Sequence, residues 1–100
     1  MLEEMRWLEY GQRLRLERRG ALRDAGGRVA ARLLASATEV GAAALGVDAG
    51  RLEAGCWADM VAVDLDHPSL SGWQADTLLE SLVLGCPDDV IVATWVGGRA

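Results

Sequence analysis

Asp59, Asp64, Asp66 and His67, the only histidine in the chain, fall within the short run Asp59-Met60-Val61-Ala62-Val63-Asp64-Leu65-Asp66-His67-Pro68. Carboxylates and an imidazole are the side chains that bind hard cations or move protons near neutral pH. On an extended strand Met60, Ala62, Asp64 and Asp66 share the face opposite Val61, Val63 and Leu65, so two carboxylates can sit side by side at the strand end. A closed metal site needs more. There is no second histidine, and Cys56 and Cys86 are not at ligand spacing. The simpler reading is an aspartate-ended outer face followed by a His-Pro turn.

Cys56 or Cys86 paired with His67 would be a nucleophile and base, but neither cysteine has in sequence the basic neighbours or helix start that lower a thiol pKa. Gly50-Arg51-Leu52-Glu53-Ala54-Gly55 resembles a phosphate loop only in its glycines. It lacks the Lys-Ser/Thr of a P-loop and leads into a strand rather than a helix. Trp7, Trp57, Trp73 and Trp95 are scattered and read as core or interface anchors. Glu3, Glu4 and Glu9 with Arg6 and Arg13 read as surface ion pairs at helical spacing, each contributing about 0.2–0.5 kcal/mol. On residue chemistry alone, no catalytic, cofactor-binding or metal-binding residue is expected.

The elements that position these residues follow from periodicity. Residues 2 to about 24 predict a helix, with Glu3 and Glu4 first and arginines last, and with Leu2, Met5, Trp7, Leu8, Tyr10, Leu14 and Ala21 in a buried stripe. Residues 28–45 predict a second helix, with Val29, Leu33, Ala37, Val40 and Ala44 on one face, small residues for close packing, and Gly46 as its stop. Met60–Leu65 predicts a half-buried strand, with a further short one possible at Arg51-Leu52-Glu53. His67–Gly72 is loop. Thr77 and Glu80 are spaced as a capping box for a helix near 77–84, and Val90–Val96 predicts a final β-branched strand.

The fold class is therefore α+β: two N-terminal helices over 1–46, then a partial β-sandwich with one short helix over 47–100. Two strands alone are marginal in water and leave open edges. A homo-oligomer, or a missing N-terminal part of a larger protein, is the expected partner.

With 100 residues there is room for one modest domain. Its net charge is −5, and all ten positive charges are arginine, five of them between Arg13 and Arg23. An acidic chain is a poor partner for nucleic acid. The acidic start Met1-Leu2-Glu3-Glu4 is unlike a secretory signal, two cysteines make no disulfide framework, and no apolar run approaches the roughly 20 residues that span a bilayer. Those features point to the reducing cytoplasm.

Taken as one phrase, Ala42-Ala43-Ala44-Leu45-Gly46, Gly50-Arg51-Leu52-Glu53-Ala54-Gly55 and Ala58-Asp59-Met60-Val61-Ala62-Val63-Asp64 resembles the C-terminal signature of the amidohydrolase superfamily. There a helix ends in A-x-x-L-G, followed by G-x-L/I-x-x-G-x-x-A-D-L/M-V-x-x-D. Glu3–Leu14 and Asp64-Leu65-Asp66-His67-Pro68 with Leu70 and Gly72 are similar to the formimidoylglutamate deiminases. Those enzymes hydrolyse N-formimino-L-glutamate to N-formyl-L-glutamate and ammonia in histidine degradation. The resemblance implies that residues 2–46 are the last helices of a (β/α)8 barrel and that later residues belong to its β-sandwich. It also implies a zinc ion in the parent enzyme, held by residues that would precede residue 1, so no ligand is carried onto this chain. After Trp95-Val96-Gly97-Gly98-Arg99 the family usually adds one more strand, whereas this sequence stops at Ala100.

Overall fold

The computed structural model describes residues 1–100. Helix α1 spans Leu2–Leu16, with Glu3 and Glu4 in its first turn and Arg13 and Arg15 in its last, each favourable to the helix dipole. It ends at Glu17, which adopts the left-handed conformation (φ 50°, ψ 36°), and the Arg18 N–H reaches back to the Arg13 carbonyl. The predicted helix to about 24 is thus shorter by two turns. Backbone N–H groups of Ala21 and Leu22 are claimed by the Glu9 carboxylate, and a continuing helix would have spent them on its own ladder.

The predicted helix over 28–45 is two helices, α2 (Val29–Ala37) and α3 (Glu39–Leu45), broken at Thr38 (φ −116°, ψ −98°). The Thr38 hydroxyl donates to the Leu34 carbonyl at 2.7 Å. Gly50 lies against the break so closely that a Cβ there would come within 2.5 Å of Thr38 backbone atoms. A straight helix would not leave that seat. Gly46 (φ 70°) stops α3 as expected.

Strand β1 (Met60–Val63) pairs antiparallel with β2 (Ile91–Trp95) in a two-stranded sheet. No strand forms at 51–53. Met60 faces Trp95, Val61 faces Thr94 and Ala62 faces Ala93, after which the register slips so that Val63 meets Ile91 and Val92 is left over as a β-bulge. The residues expected on one face of β1 divide. Val63 packs against the core, whereas Val61 and Leu65 are exposed. Helix α4 (Leu78–Gly85) fills the predicted helical position, but no Thr77–Glu80 capping box forms. The Thr77 hydroxyl instead accepts from the Gln74 N–H at 3.1 Å, in the turn leading into the helix.

One core cluster joins Leu2 and Met5 of α1, Ala30 and Leu33 of α2, Leu70 from a short 3-10 turn, Val83 and Cys86 at the end of α4, and Val90 ahead of β2. The predicted α1 stripe is only partly right: Leu2 and Met5 are inside, while Trp7, Leu8 and Leu14 are exposed. Position 9, a turn beyond Met5 on the buried side, belongs to a glutamate. No helix is long and apolar enough to cross a membrane.

Leu33, fully enclosed between α2 and its neighbours, is the side chain whose truncation should matter most to this core. Leu33→Ala is expected to lower the unfolding free energy by about 2–5 kcal/mol in a urea titration. Leu14→Ala, at an exposed position, should change it by less than about 0.5 kcal/mol. Equal effects would contradict this packing.

Candidate functional site

The acidic run does not converge on a point. Asp59, at the entry to β1, accepts from the Gly97 N–H at 2.7 Å, and beside it the Gly98 N–H donates to the Ala58 carbonyl at 2.9 Å. Asp64 folds back on its own chain, its Oδ1 accepting from the Asp66 N–H at 3.0 Å, a common turn device. His67 starts the 3-10 turn Pro68–Leu70: its Nδ1 accepts from the Ser69 N–H at 3.2 Å, and its Nε2 lies 3.4 Å from Asp89 Oδ1. The His-Pro turn is therefore as the sequence predicts. No group of three or more His, Cys, Asp or Glu side chains is placed to hold a metal ion. A zinc site needs four donors in a tetrahedron. This donor set does not fit zinc.

The remaining candidates separate as well. Cys86 is buried at the end of α4, where burial, the largest influence, pushes its thiol pKa up against the opposing pull of Arg6. A thiol held protonated is a poor nucleophile. Gly50 sits against the Thr38 break, and Gly55 (φ 93°) turns the chain toward β1, so these glycines shape joints rather than a phosphate cradle. The four tryptophans serve different places. Trp7 meets Tyr10 edge-on at 6.2 Å, Trp57 lies beside Gly97, Trp73 donates to the Leu65 carbonyl at 3.2 Å, and Trp95 ends β2.

Two residues that the sequence placed on the surface turn out to organise the interior. Glu9 is fully buried, and its carboxylate accepts from Arg13 Nε at 3.1 Å, from the Ala21 N–H at 3.1 Å and from the Leu22 N–H at 2.9 Å. Burial alone would raise its pKa. The Leu22, Arg13 and Ala21 donors together outweigh that and hold the carboxyl below the usual glutamate range. Arg6 donates from Nε to the Val83 carbonyl at 2.8 Å and from its terminal nitrogen to the Cys86 carbonyl. It thereby satisfies the last turn of α4, where carbonyls have no helical partner. Spacing hides both roles, because Glu9 and Arg13 at i and i+4 are just what an exposed pair shows. Glu9's place on the Leu2–Met5 side of α1 was the available signal.

A shallow groove of about 730 Å³ runs between α3, the 47–52 turn and the two strands. Its lining is apolar, including Leu45, Val47, Leu52, Val61 and Val96, with Arg51 and Asp59 the charged residues. The arrangement can bind an apolar surface. Its one carboxylate, Asp59, accepts from the Gly97 N–H.

Fold and polar contacts together define a small α+β unit in which the motif residues close backbone joints. A family model described as the amidohydrolase family matches residues 1–100. The chain belongs to the amidohydrolase family. It is 38% identical over 100 residues to formimidoylglutamate deiminase of Pseudomonas aeruginosa, covering 99% of this chain and 22% of that protein. It is also 40% identical over 76 residues to 5-methylthioadenosine/S-adenosylhomocysteine deaminase of Natronomonas pharaonis, covering 76% of this chain and 17% of that protein. The chain spans about a fifth of the length of the relatives it matches.

The Glu9 contacts predict a pH dependence. Because folding lowers its pKa, its contribution to stability is complete above the unfolded glutamate pKa and disappears as pH falls through the folded value. Glu9→Gln, which keeps the shape but weakens three acceptor bonds, should cost about 1–3 kcal/mol at neutral pH. In denaturant titrations across pH, the gap between wild type and variant should narrow on the acid side. A gap that widens toward acid would refute the assignment.

Proposed function

We propose that this chain is a structural, non-catalytic part of a C–N bond hydrolase of the formimidoylglutamate deiminase type. The observation that supports it most is the match along 99% of the chain to 22% of such an enzyme, together with motif residues that hold backbone and line no reactive site. In this reading α1 to α3 are the last helices of a (β/α)8 barrel, and β1 and β2 join further strands of a composite sheet. Zinc and the groups that activate water belong to the remainder of the enzyme, which acts in the cytoplasm in histidine degradation.

A second reading is a stand-alone interaction module derived from the same fold. The exposed apolar groove favours it, since such patches mark binding surfaces.

Purified chain incubated with N-formimino-L-glutamate, with and without zinc, is expected to release no ammonia above the blank, and zinc should leave its melting midpoint unchanged. Ammonia release proportional to chain concentration would overturn both readings. Saturable stabilisation by zinc would show a metal site where the donor geometry offers none.

A further inference from the structure

We infer that the arginine-rich face formed by the end of α1, the turn after it and the start of α2 is a docking surface for carboxylates on the remainder of the larger enzyme. This rests on the deiminase reading, because the chain covers 22% of the relative it matches and the occupant is the rest of such a protein.

The first support is that these charges are not paired within the chain. Residues 15–32 hold six arginines against two acids, whereas the rest of the chain holds four arginines against thirteen acids. All six are exposed. Asp24 is taken by Arg28, whose N–H donates to it at 2.7 Å and whose guanidinium lies 3.8 Å away. Arg15, Arg18, Arg19, Arg23 and Arg32 take part in no ion pair. The chain has acids to spare and sets none against them.

The second support is order. Such a run suits a solvated helix face only while the helix lasts, and α1 stops at Leu16. Beyond it the fold itself gathers the charges. The Arg32 guanidinium, on α2, donates to the Arg23 carbonyl at 2.9 Å, and the Arg23 guanidinium donates to the Arg19 carbonyl at 3.3 Å. Each bond uses one nitrogen of the fork and leaves the others for a partner. Like charges are thereby held in place before any anion arrives, which lowers the ordering cost of binding one.

The third support is the chemistry of the groups. Guanidinium is weakly hydrated, matches a carboxylate bidentately and is enriched at protein interfaces. The excess of acids over the rest of the chain repels a long polyanion such as nucleic acid, whose phosphates extend past this one face. A local group of carboxylates on a neighbouring protein surface meets no such repulsion.

The triple variant Arg15→Glu, Arg18→Glu, Arg19→Glu tests this, together with the same three positions changed to Gln, because none of these side chains makes an ion pair inside the chain. In the isolated chain both variants are expected to hold or raise the melting midpoint. In a chimera in which this chain replaces the matching part of the Pseudomonas aeruginosa deiminase, they should lower the midpoint by about 2–4 °C or more, Glu more than Gln. That loss should shrink between about 0.05 and about 1 M salt, as exposed ion pairs are screened. Variants as stable as a folded, active parent chimera would overturn the inference and leave the deiminase reading standing, whereas a parent chimera that does not assemble would remove both. An equal loss in the isolated chain would make the face internal bracing, and a loss indifferent to salt would make the contact non-ionic. A labelled oligonucleotide bound by the isolated chain through these arginines would put nucleic acid there, and each of these three results overturns the proposal.

Discussion

A single guanidinium joins the two ends of this chain. Arg6 of α1 reaches across a separation of 77 and 80 residues to the carbonyls of Val83 and Cys86. Those carbonyls end α4, carry the negative end of its dipole and sit among buried side chains, so leaving them unpaired would be costly. With α1 held there, Leu2 and Met5 meet Val83 and Leu33, and α2 is sandwiched against α4. Glu9, on the next turn of α1, then takes the Ala21 and Leu22 N–H groups and turns the chain toward α2. The polar side of one helix thus sets the arrangement of the apolar core around it.

The motif residues that carry family membership act in the same way at the other end of the molecule. Gly50 permits close approach to the α2–α3 break, and Asp59 with Ala58 ties the start of β1 to the glycine turn after β2. Aspartates in that run suggested chemistry because carboxylates are versatile. In the structure Asp59 and Asp64 each accept from a backbone N–H, so two of the three carboxylates in the run hold the chain's own backbone.

Much of the fold is legible in the sequence where the determinants are local. Gly46 stops a helix by its own backbone freedom, His67-Pro68 makes its turn with neighbouring atoms, and the β-branched run before Trp95 is a strand. Errors arise where a distant partner decides. α1 is shortened by hydrogen bonds from residues 12 and 13 positions on, and the break at Thr38 accommodates a glycine brought back by the 47–50 turn. Of the three residues expected on one face of β1, only Val63 packs against the core, where the register slips at Val92, and no alternation pattern announces a bulge. Reading Glu9 and Arg6 as surface pairs fails for a related reason: i, i+4 spacing records which side chains can meet, not whether water is there.

The groove leaves an apolar surface open, and the chain matches 22% of a longer enzyme of its family. The most direct test is a chimera in which this chain replaces the matching 22% of the Pseudomonas aeruginosa deiminase. The account predicts a folded chimera that hydrolyses N-formimino-L-glutamate within about tenfold of the parent, since the exchanged part would contribute no more than about 1.4 kcal/mol to the barrier. A folded, metal-loaded chimera with no turnover would contradict it.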